Sequence, residues 1–166
     1  MPNLIHNLEI LHIFISPGHD FKGRHGHERL NHGSQSVDSV ECVNGRGLEG
    51  DRFFDYREDF KGQVTFFELK VADTVERLLG LEDFELSQLR RNVIVSGVDL
   101  NELIGKRFEI NGVEFFGSEE CSPCYWMNEA LGPGAEALLK DRGGLRCRIL
   151  SSGTLRLGEI QLKVVL

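Results

Sequence analysis

The chain has 166 residues, of which 40% are hydrophobic and 27% are charged, and its formal net charge is −7 at pH 7. This length and composition predict one soluble globular domain over residues 1–166, with no apolar run near the roughly 20 residues of a membrane-spanning helix. The acidic balance argues against a general nucleic-acid-binding protein, because neutralising phosphates requires an excess of Lys and Arg.

The first apolar stretch, residues 4–15, is interrupted by His6, Glu9 and His12. It lacks a basic leader and a small-residue cleavage site, so it does not resemble a signal peptide. We therefore expect a cytoplasmic protein with no membrane association. In that compartment cysteines stay reduced, and they more often bind metals or take part in catalysis than form structural disulfides.

Strands dominate the first part of the chain. Apolar, β-branched and aromatic residues predict strands at 10–16, 36–43, 63–67 and 92–96. Residues 68–79 carry one apolar face with helical spacing, and Gly80 follows as a typical C-cap, so we predict a helix there. Residues 100–104 predict a single helical turn that ends at Gly105.

A β-hairpin at residues 107–116 is the clearest local pattern. Apolar and polar residues alternate on both sides of Asn111-Gly112, which is typical of a two-residue type I′ turn. Beyond it, residues 133–139 predict a short helix opened by proline, and residues 145–150 and 155–166 predict further strands. Strands without regular helix alternation favour a mainly β, barrel-rich α+β fold with a few short helices.

All six histidines lie in the first 32 residues, most of them in a His- and Gly-rich stretch at 17–35. The spacing matches no zinc motif. A polar loop that lines a pocket is the better interpretation, with Lys22 and His25 as donors to an anion and His19 as a secondary candidate.

A second glycine-rich segment, residues 45–52, contains Arg46 and Arg52. Glycines allow a backbone to approach a ligand closely, and arginine matches phosphate oxygens. The spacing fits neither a Walker A loop nor a dinucleotide fingerprint. An ordinary turn and an anion-binding turn both remain open.

The motif Cys121-Ser-Pro-Cys124 admits several interpretations. A zinc site would need two more ligands, and Cys42 and Cys147 are isolated in the sequence. A thioredoxin-type disulfide would need a long helix after the motif, whereas the surrounding pattern predicts strands and a break at 132–133. The motif is also compatible with two inert thiols, or with one reactive thiolate in a pocket.

Five segments together resemble the MOSC domain, which is named for the molybdenum cofactor sulfurase C-terminus. They are GRGLEGDRFF at 45–54, GQVTFF at 62–67, RRNVIVSGVDLNELIG at 90–105, CSPC at 121–124 and GGLRCRIL at 143–150. The resemblance covers most of the chain, from about residue 10 to the end, and indicates a stand-alone short member. It implies a β-barrel-rich fold like the pyruvate-kinase barrel domain.

The resemblance also implies the molybdenum cofactor, a pterin that carries a phosphate and a dithiolene-held molybdenum. Cys124 matches the functional cysteine of the family, as a molybdenum ligand in reductases of N-hydroxylated compounds or as a persulfide carrier. Arg91 and Asn92 match the residues that contact the cofactor in the reductase branch. A family-level association with pyridoxal phosphate comes with the same resemblance.

Chemically, a thiolate is both a soft metal ligand and a nucleophile, and nearby cations lower a thiol pKa. Arg91, Arg146 and Arg148 are the candidates for this task and for holding the pterin phosphate. Cys147 lies between the last two, so on a strand it points to the opposite face and is expected in the core. Expected partners are a small substrate or a sulfur donor or acceptor protein, with an electron-donor reductase if the protein is an enzyme. A dithiol redox or zinc module using Cys121 and Cys124 is the alternative.

Overall fold

The computed structural model describes residues 4–18, 33–123 and 126–166. Four of the predicted site residues lie outside these ranges, namely His19, Lys22, His25 and Cys124. Among the described residues, none of the helices combines the length and apolar character needed to cross a membrane.

Strands form most of the described chain. Their bounds are β1 Ile5–Ile15, β2 Gln35–Val37, β3 Ser39–Val43, β4 Gly47–Leu48, β5 Val64–Glu68, β6 Val93–Ser96, β7 Arg107–Ile110, β8 Val113–Glu120, β9 Leu145–Ile149, β10 Gly153–Arg156 and β11 Gly158–Val165. The helices are α1 Leu69–Leu79, α2 Trp126–Leu131 and α3 Ala135–Leu139, with 3₁₀ turns at Leu86–Leu89 and Leu100–Leu103.

Seven strands close into a barrel in the order β11-β7-β8-β9-β5-β6-β1, and β1 pairs with β11 to complete the ring. The β5–β6 pair is parallel, and α1 and the Leu86–Leu89 turn connect these two strands. A separate antiparallel sheet has the order β10-β3-β4. The prediction of a mainly β, barrel-rich fold with short helices is therefore confirmed.

Buried and more exposed residues alternate along the strands, and the buried apolar side chains fill the barrel. Phe66, Phe108 and Phe115 are each at most 1% exposed and pack ring against ring inside it. On the outside of β5 and β6, Phe67 and Ile94 pack under the three helices as a second apolar cluster. The fold thus has a barrel core and a helix-covered flank.

Two predicted elements match the structure closely. In the hairpin, Asn111 and Gly112 both have positive φ values, 52° and 77°, as a type I′ turn requires. Helix α1 ends at Gly80, which adopts the left-handed conformation at φ 60°. Both depend on determinants within a few residues of one another.

The largest differences from the structure concern three predicted elements. Strand β1 begins at Ile5 and not at residue 10, because its first half pairs with β11. The single strand predicted at 36–43 is broken at Asp38 into β2, which pairs with β1, and β3, which pairs with β10. The prediction of strands around the cysteine motif is wrong on its C-terminal side, where the six-residue helix α2 follows.

Candidate functional site

The candidate site lies at the end of the barrel where β6 and β9 begin and β1 and β8 end. Val93, the first residue of β6, pairs with Ile13 near the end of β1. Leu145, the first residue of β9, pairs with Glu120, the last residue of β8. Val93 and Leu145 both pair with Phe66 of β5, which lies between β6 and β9 in the sheet. The segments that adjoin these strand ends therefore meet, and they are residues 16–18, 90–92, 121–123 and 143–144.

Three consecutive residues form the hub of this end. Arg90, Arg91 and Asn92 are 9%, 7% and 1% exposed, although all three are polar. Burying a polar group costs free energy unless the group is hydrogen bonded. The hydrogen-bond partners of these three side chains therefore identify the segments that they join. The three side chains point to three different parts of the chain.

Arg90 gathers the chain on either side of segment 19–32. Its Nη2 donates to Ser16 Oγ at 3.0 Å and to the Gly18 carbonyl at 2.8 Å. Its Nη1 donates to the Gly33 carbonyl and to Ser34 Oγ, both at 3.2 Å. The backbone of Arg90 is left-handed at φ 58°, an uncommon conformation for a residue with a side chain. One guanidinium thus holds Gly18 and Gly33 together.

Arg91 points towards the cysteine segment, which we define as residues 121–123, the described part of the cysteine motif. Its Nε donates to the Gly143 carbonyl at 2.8 Å, and its Nη1 donates to the Leu89 carbonyl at 3.1 Å. Its Nη2 donates to the Cys121 carbonyl at 3.3 Å. All three acceptors are neutral backbone carbonyls, so within the described residues no carboxylate is hydrogen bonded to this buried cation.

Asn92 ties two strands together. Its Oδ1 accepts from the backbone N–H of Thr65 at 3.0 Å and from Thr65 Oγ1 at 3.1 Å. Its Nδ2 donates to the Phe14 carbonyl at 3.1 Å. These bonds join β1 and β5 where the connection into β6 passes between them.

Arg52 lies against the same hub. Its Nη2 donates to the Arg90 carbonyl at 3.1 Å, and its Nη1 lies 3.2 Å from Asp51 Oδ1. Asp51 also accepts from the backbone N–H of Ser16 at 3.0 Å. Since Ser16 Oγ accepts from Arg90, the four residues close a ring of hydrogen bonds. The ring fixes Arg52, whose guanidinium lies over the Phe53 ring at 4.8 Å.

The cysteine segment is packed tightly against the turn before β9. Cys121 is 6% exposed, and its N–H donates to the Gly144 carbonyl at 2.7 Å. A Cβ added at Gly143 would lie 2.1 Å from the Cys121 carbonyl oxygen and 3.0 Å from Pro123 Cδ. The N–H of Gly143 donates to Glu120 Oε2 at 3.0 Å. Only glycine permits this approach.

A cavity of about 450 Å³ adjoins the outer side of the cysteine segment. Ser122 and Pro123 line it together with Glu120 and with Glu136 and Lys140 of the α3 region. Its size falls within the range of small-molecule pockets. Solvent therefore reaches the segment from the helix side.

Arg146 and Arg148 lie on the outer face of β9, one on each side of Cys147. Arg146 Nη1 lies 3.4 Å from Glu119 Oε1, and Arg148 Nε lies 3.0 Å from Asp59 Oδ1. Cys147 is fully buried among the barrel residues, and burial raises the pKa of its thiol well above the ordinary value. The prediction that Cys147 is a core residue is confirmed.

Arg46 lies apart from the hub. It occupies the exposed turn between β3 and β4, where its Nε donates to Asp55 Oδ1 at 2.8 Å. This hydrogen bond from Arg46 holds the pKa of the Asp55 carboxyl below its usual value. Its guanidinium also lies over the Phe54 ring at 4.5 Å. The structure therefore brings together Arg52, Arg91 and Asn92, but not Arg46.

Sequence reasoning missed Arg90 of the hub and several residues that surround the hub. Arg90 was visible as half of an Arg-Arg doublet, and Asp51 stands directly before Arg52. Ser16 gives no signal in the sequence, and Thr65 lies in the segment 62–67 that carries the family resemblance but is not marked there as a site residue. Their partners are 74 and 27 residues away. Over the described stretches of the chain, no three His, Cys, Asp or Glu side chains are grouped as a metal site.

The model of the MOSC domain matches residues 30–160 of the 166 in this chain. The chain belongs to the MOSC domain family. The matched region of this MOSC domain contains five of the seven barrel strands in full, β5 to β9, together with the hub and the cysteine segment. No curated protein matches the sequence.

Solved structures of similar fold come from several bacteria. The YuaD protein from Bacillus subtilis superposes with a TM-score of 0.69 at 18% identity, over 98% of this chain and 97% of that one. YiiM from Geobacillus stearothermophilus gives a TM-score of 0.69 at 16% identity, over 96% and 75%. YiiM from Escherichia coli gives 0.66 at 15% identity, over 99% and 71%. These similarities show that this MOSC domain shares their fold.

Proposed function

We propose that this MOSC protein binds the molybdenum cofactor at the barrel end that carries the hub, with Cys124 as the working sulfur. Arg91 is the observation that carries the proposal. It is 7% exposed and is bonded to three neutral carbonyls, one of which belongs to Cys121. A buried cation without a bonded carboxylate is stabilised by an anion close by. The pterin phosphate of the cofactor is such an anion.

Arg52 supports the same proposal from the other side of the hub. Its guanidinium is fixed by Asp51 and by the Arg90 carbonyl, so little side-chain entropy remains to be lost when it binds a ligand. Asn92, which matches a cofactor-contacting residue of the reductase branch, joins β1 and β5 next to both arginines. These residues would orient the cofactor, which when bound supplies the metal centre for two-electron chemistry.

Two roles for the Cys124 sulfur are compatible with this arrangement. As a soft thiolate it would ligate molybdenum in a reductase of N-hydroxylated compounds. Such a reductase would need a separate electron-donor protein, because the sequence contains no flavin or haem motif. As a nucleophile it would attack the outer sulfur of a donor persulfide. The donor S–S bond would then break, leaving a Cys124 persulfide and the donor thiolate.

The burial of Cys121 favours a single working thiol over a dithiol redox or zinc module. Cys121 is 6% exposed, and its N–H and carbonyl are both bonded to neighbouring segments. A dithiol mechanism needs both sulfurs to reach the same partner. A buried Cys121 does not meet this requirement.

The test is the metal and pterin content of protein made in a host that synthesises the cofactor. We expect wild-type protein to retain molybdenum and pterin through gel filtration, Cys124→Ala to lose the metal, and Cys121→Ser to retain most of it. Wild-type protein that contains neither molybdenum nor pterin would refute the proposal.

The two sulfur roles are separated by loading the protein with a cysteine desulfurase. A carrier should gain a mass of about one sulfur atom, and Cys124→Ser should abolish the gain. A mass gain that persists in Cys124→Ser would place the sulfur on another residue.

A further inference from the structure

Contacts on one side of the cysteine segment hold Cys121 in a buried position. Arg91 bonds to the Cys121 and Gly143 carbonyls, Cys121 N–H bonds to the Gly144 carbonyl, and Gly143 packs directly on the Cys121 carbonyl. We call these four contacts the clasp. Three of them involve backbone atoms of Cys121, the fourth joins Arg91 to Gly143, and the Cys121 side chain lies buried beside them.

We propose that Arg91 and Gly143 are positioning residues whose clasp withdraws Cys121 from solvent and so leaves Cys124 as the only reactive thiol of the pair. The inference rests on the proposed role of Cys124 as the working sulfur. It adds a reason why the second cysteine of the motif takes no part.

The physical basis is that Cys121 is held at both of its backbone hydrogen-bonding groups. Its N–H and C=O bonds are 2.7 and 3.3 Å long, and each joins it to a different segment. Exposure of a side chain held in this way requires local opening, which is governed by the contacts that must be broken. Loss of the clasp removes that requirement without touching the barrel core.

Three variants test the clasp. Gly143→Ala introduces a Cβ that clashes with the Cys121 carbonyl, and Gly143 does not have a left-handed φ, so the effect is steric alone. Arg91→Met keeps the apolar stem but removes every donor. Arg91→Lys keeps the charge and three donors, so it should restore part of the wild-type behaviour.

Gly153→Ala is the matched control. Its Cβ would lie 2.7 Å from Cγ2 of the buried Val113, so it also introduces a steric conflict, in β10 and away from the cysteine segment. Gly153 likewise lacks a left-handed φ. Cys147, which is fully buried in the barrel, reports global unfolding in every variant.

The readout is alkylation by iodoacetamide on cofactor-free protein, with tandem mass spectrometry to locate each adduct. We expect Cys121 to be labelled at least 10-fold faster in Gly143→Ala and Arg91→Met than in wild type or Gly153→Ala. Arg91→Lys should be intermediate, and Cys147 should stay protected throughout. Methionine preserves packing of the arginine stem but has no donors, whereas lysine has donors. Protection of Cys121 by lysine but not by methionine would therefore show that the hydrogen bonds of the clasp matter.

A second readout is the Cys121–Cys124 disulfide formed in oxidised glutathione. Two thiols lose their protons and two electrons, and one oxidised glutathione becomes two reduced molecules. Arg91→Met and Gly143→Ala should form this disulfide at a more reducing glutathione ratio than wild type, because the contacts that keep Cys121 buried no longer have to be broken.

Several results would overturn the clasp. One is wild-type Cys121 labelling as fast as Cys124, and another is Cys121 remaining protected in both Arg91→Met and Gly143→Ala. If Gly143→Ala also makes Cys147 reactive, that variant is globally unfolded, and the test of the clasp then depends on the Arg91 variants alone. Since labelling needs no cofactor, absence of molybdenum from wild-type protein would refute the proposed function and leave the clasp standing.

Discussion

Replacing Asn92 by alanine should destabilise the cofactor-free protein strongly. The side chain is 1% exposed and satisfies three groups, namely the Thr65 N–H, the Thr65 hydroxyl and the Phe14 carbonyl. Each buried polar group that loses its partner costs about 1–3 kcal/mol. Because water can enter the space left by the amide, we expect the lower part of that range, about 3–5 kcal/mol in total.

Urea unfolding measures this loss. With a urea m-value of about 2 kcal/mol/M, the midpoint should fall by about 1.5–2.5 M. Far-UV circular dichroism and the fluorescence of Trp126, the only tryptophan, should report the same transition. Asn101→Ala is the matched control, because its Nδ2 makes a single exposed bond to the Asp141 carbonyl at 2.8 Å.

A small effect would refute the reasoning. If Asn92→Ala stays within about 1 kcal/mol of wild type with an unchanged m-value, the bonds to Thr65 and Phe14 do not hold the strands. Asn92 would then act mainly on the bound cofactor. In that case the variant would lose molybdenum while its cofactor-free form unfolds at the wild-type midpoint.

Three further predictions concern residues away from the hub. Arg46→Ala should leave the cofactor content and the urea midpoint at pH 7 unchanged, because its ion-pair partner Asp55 is exposed. Arg46 lowers the pKa of Asp55, so any small difference in stability between wild type and Arg46→Ala should disappear as acid protonates this carboxylate. Burial raises the pKa of Cys42 from 9.0 to about 12, so its contribution is full below pH 9 and is lost as the pH rises towards 12. Urea unfolding at pH 8.5 and 10.5 should show a loss of up to about 1.4 kcal/mol per pH unit per buried thiol, and a slope unchanged in Cys42→Ala would contradict this. Gly112→Ala should cost about 1–2 kcal/mol in urea unfolding because Gly112 has φ 77°, and Gly112→Asn should recover most of it.

Predictions from the sequence were most accurate where the determinants are local. The Asn111-Gly112 turn and the Gly80 cap each depend on backbone preferences of one or two residues, and both were found. The division at Asp38 was not predictable in this way. Residues on both sides of it have strand character, and what separates them is that one pairs with β1 and the other with β10.

The hub shows the same distinction at the level of side chains. Arg90, Arg91 and Asn92 are adjacent in the sequence. The direction in which each side chain points depends on the left-handed backbone of Arg90 and on hydrogen-bond partners that are distant in the sequence. Arg91 reaches Cys121 and Gly143, which are 30 and 52 residues away. The family resemblance identified two of the three residues, whereas the contacts that explain them required the fold.

The way Arg90 holds the chain has a consequence for how this protein can vary. Its contacts on the two sides of segment 19–32 include the Gly18 and Gly33 carbonyls, and every amino acid supplies a carbonyl. These two acceptors therefore depend on the backbone at positions 18 and 33 and not on the side chains there. A substitution at position 18 would leave its carbonyl in place for Arg90, whereas Gly33, with φ 70°, restricts the second acceptor to residues that tolerate a left-handed backbone.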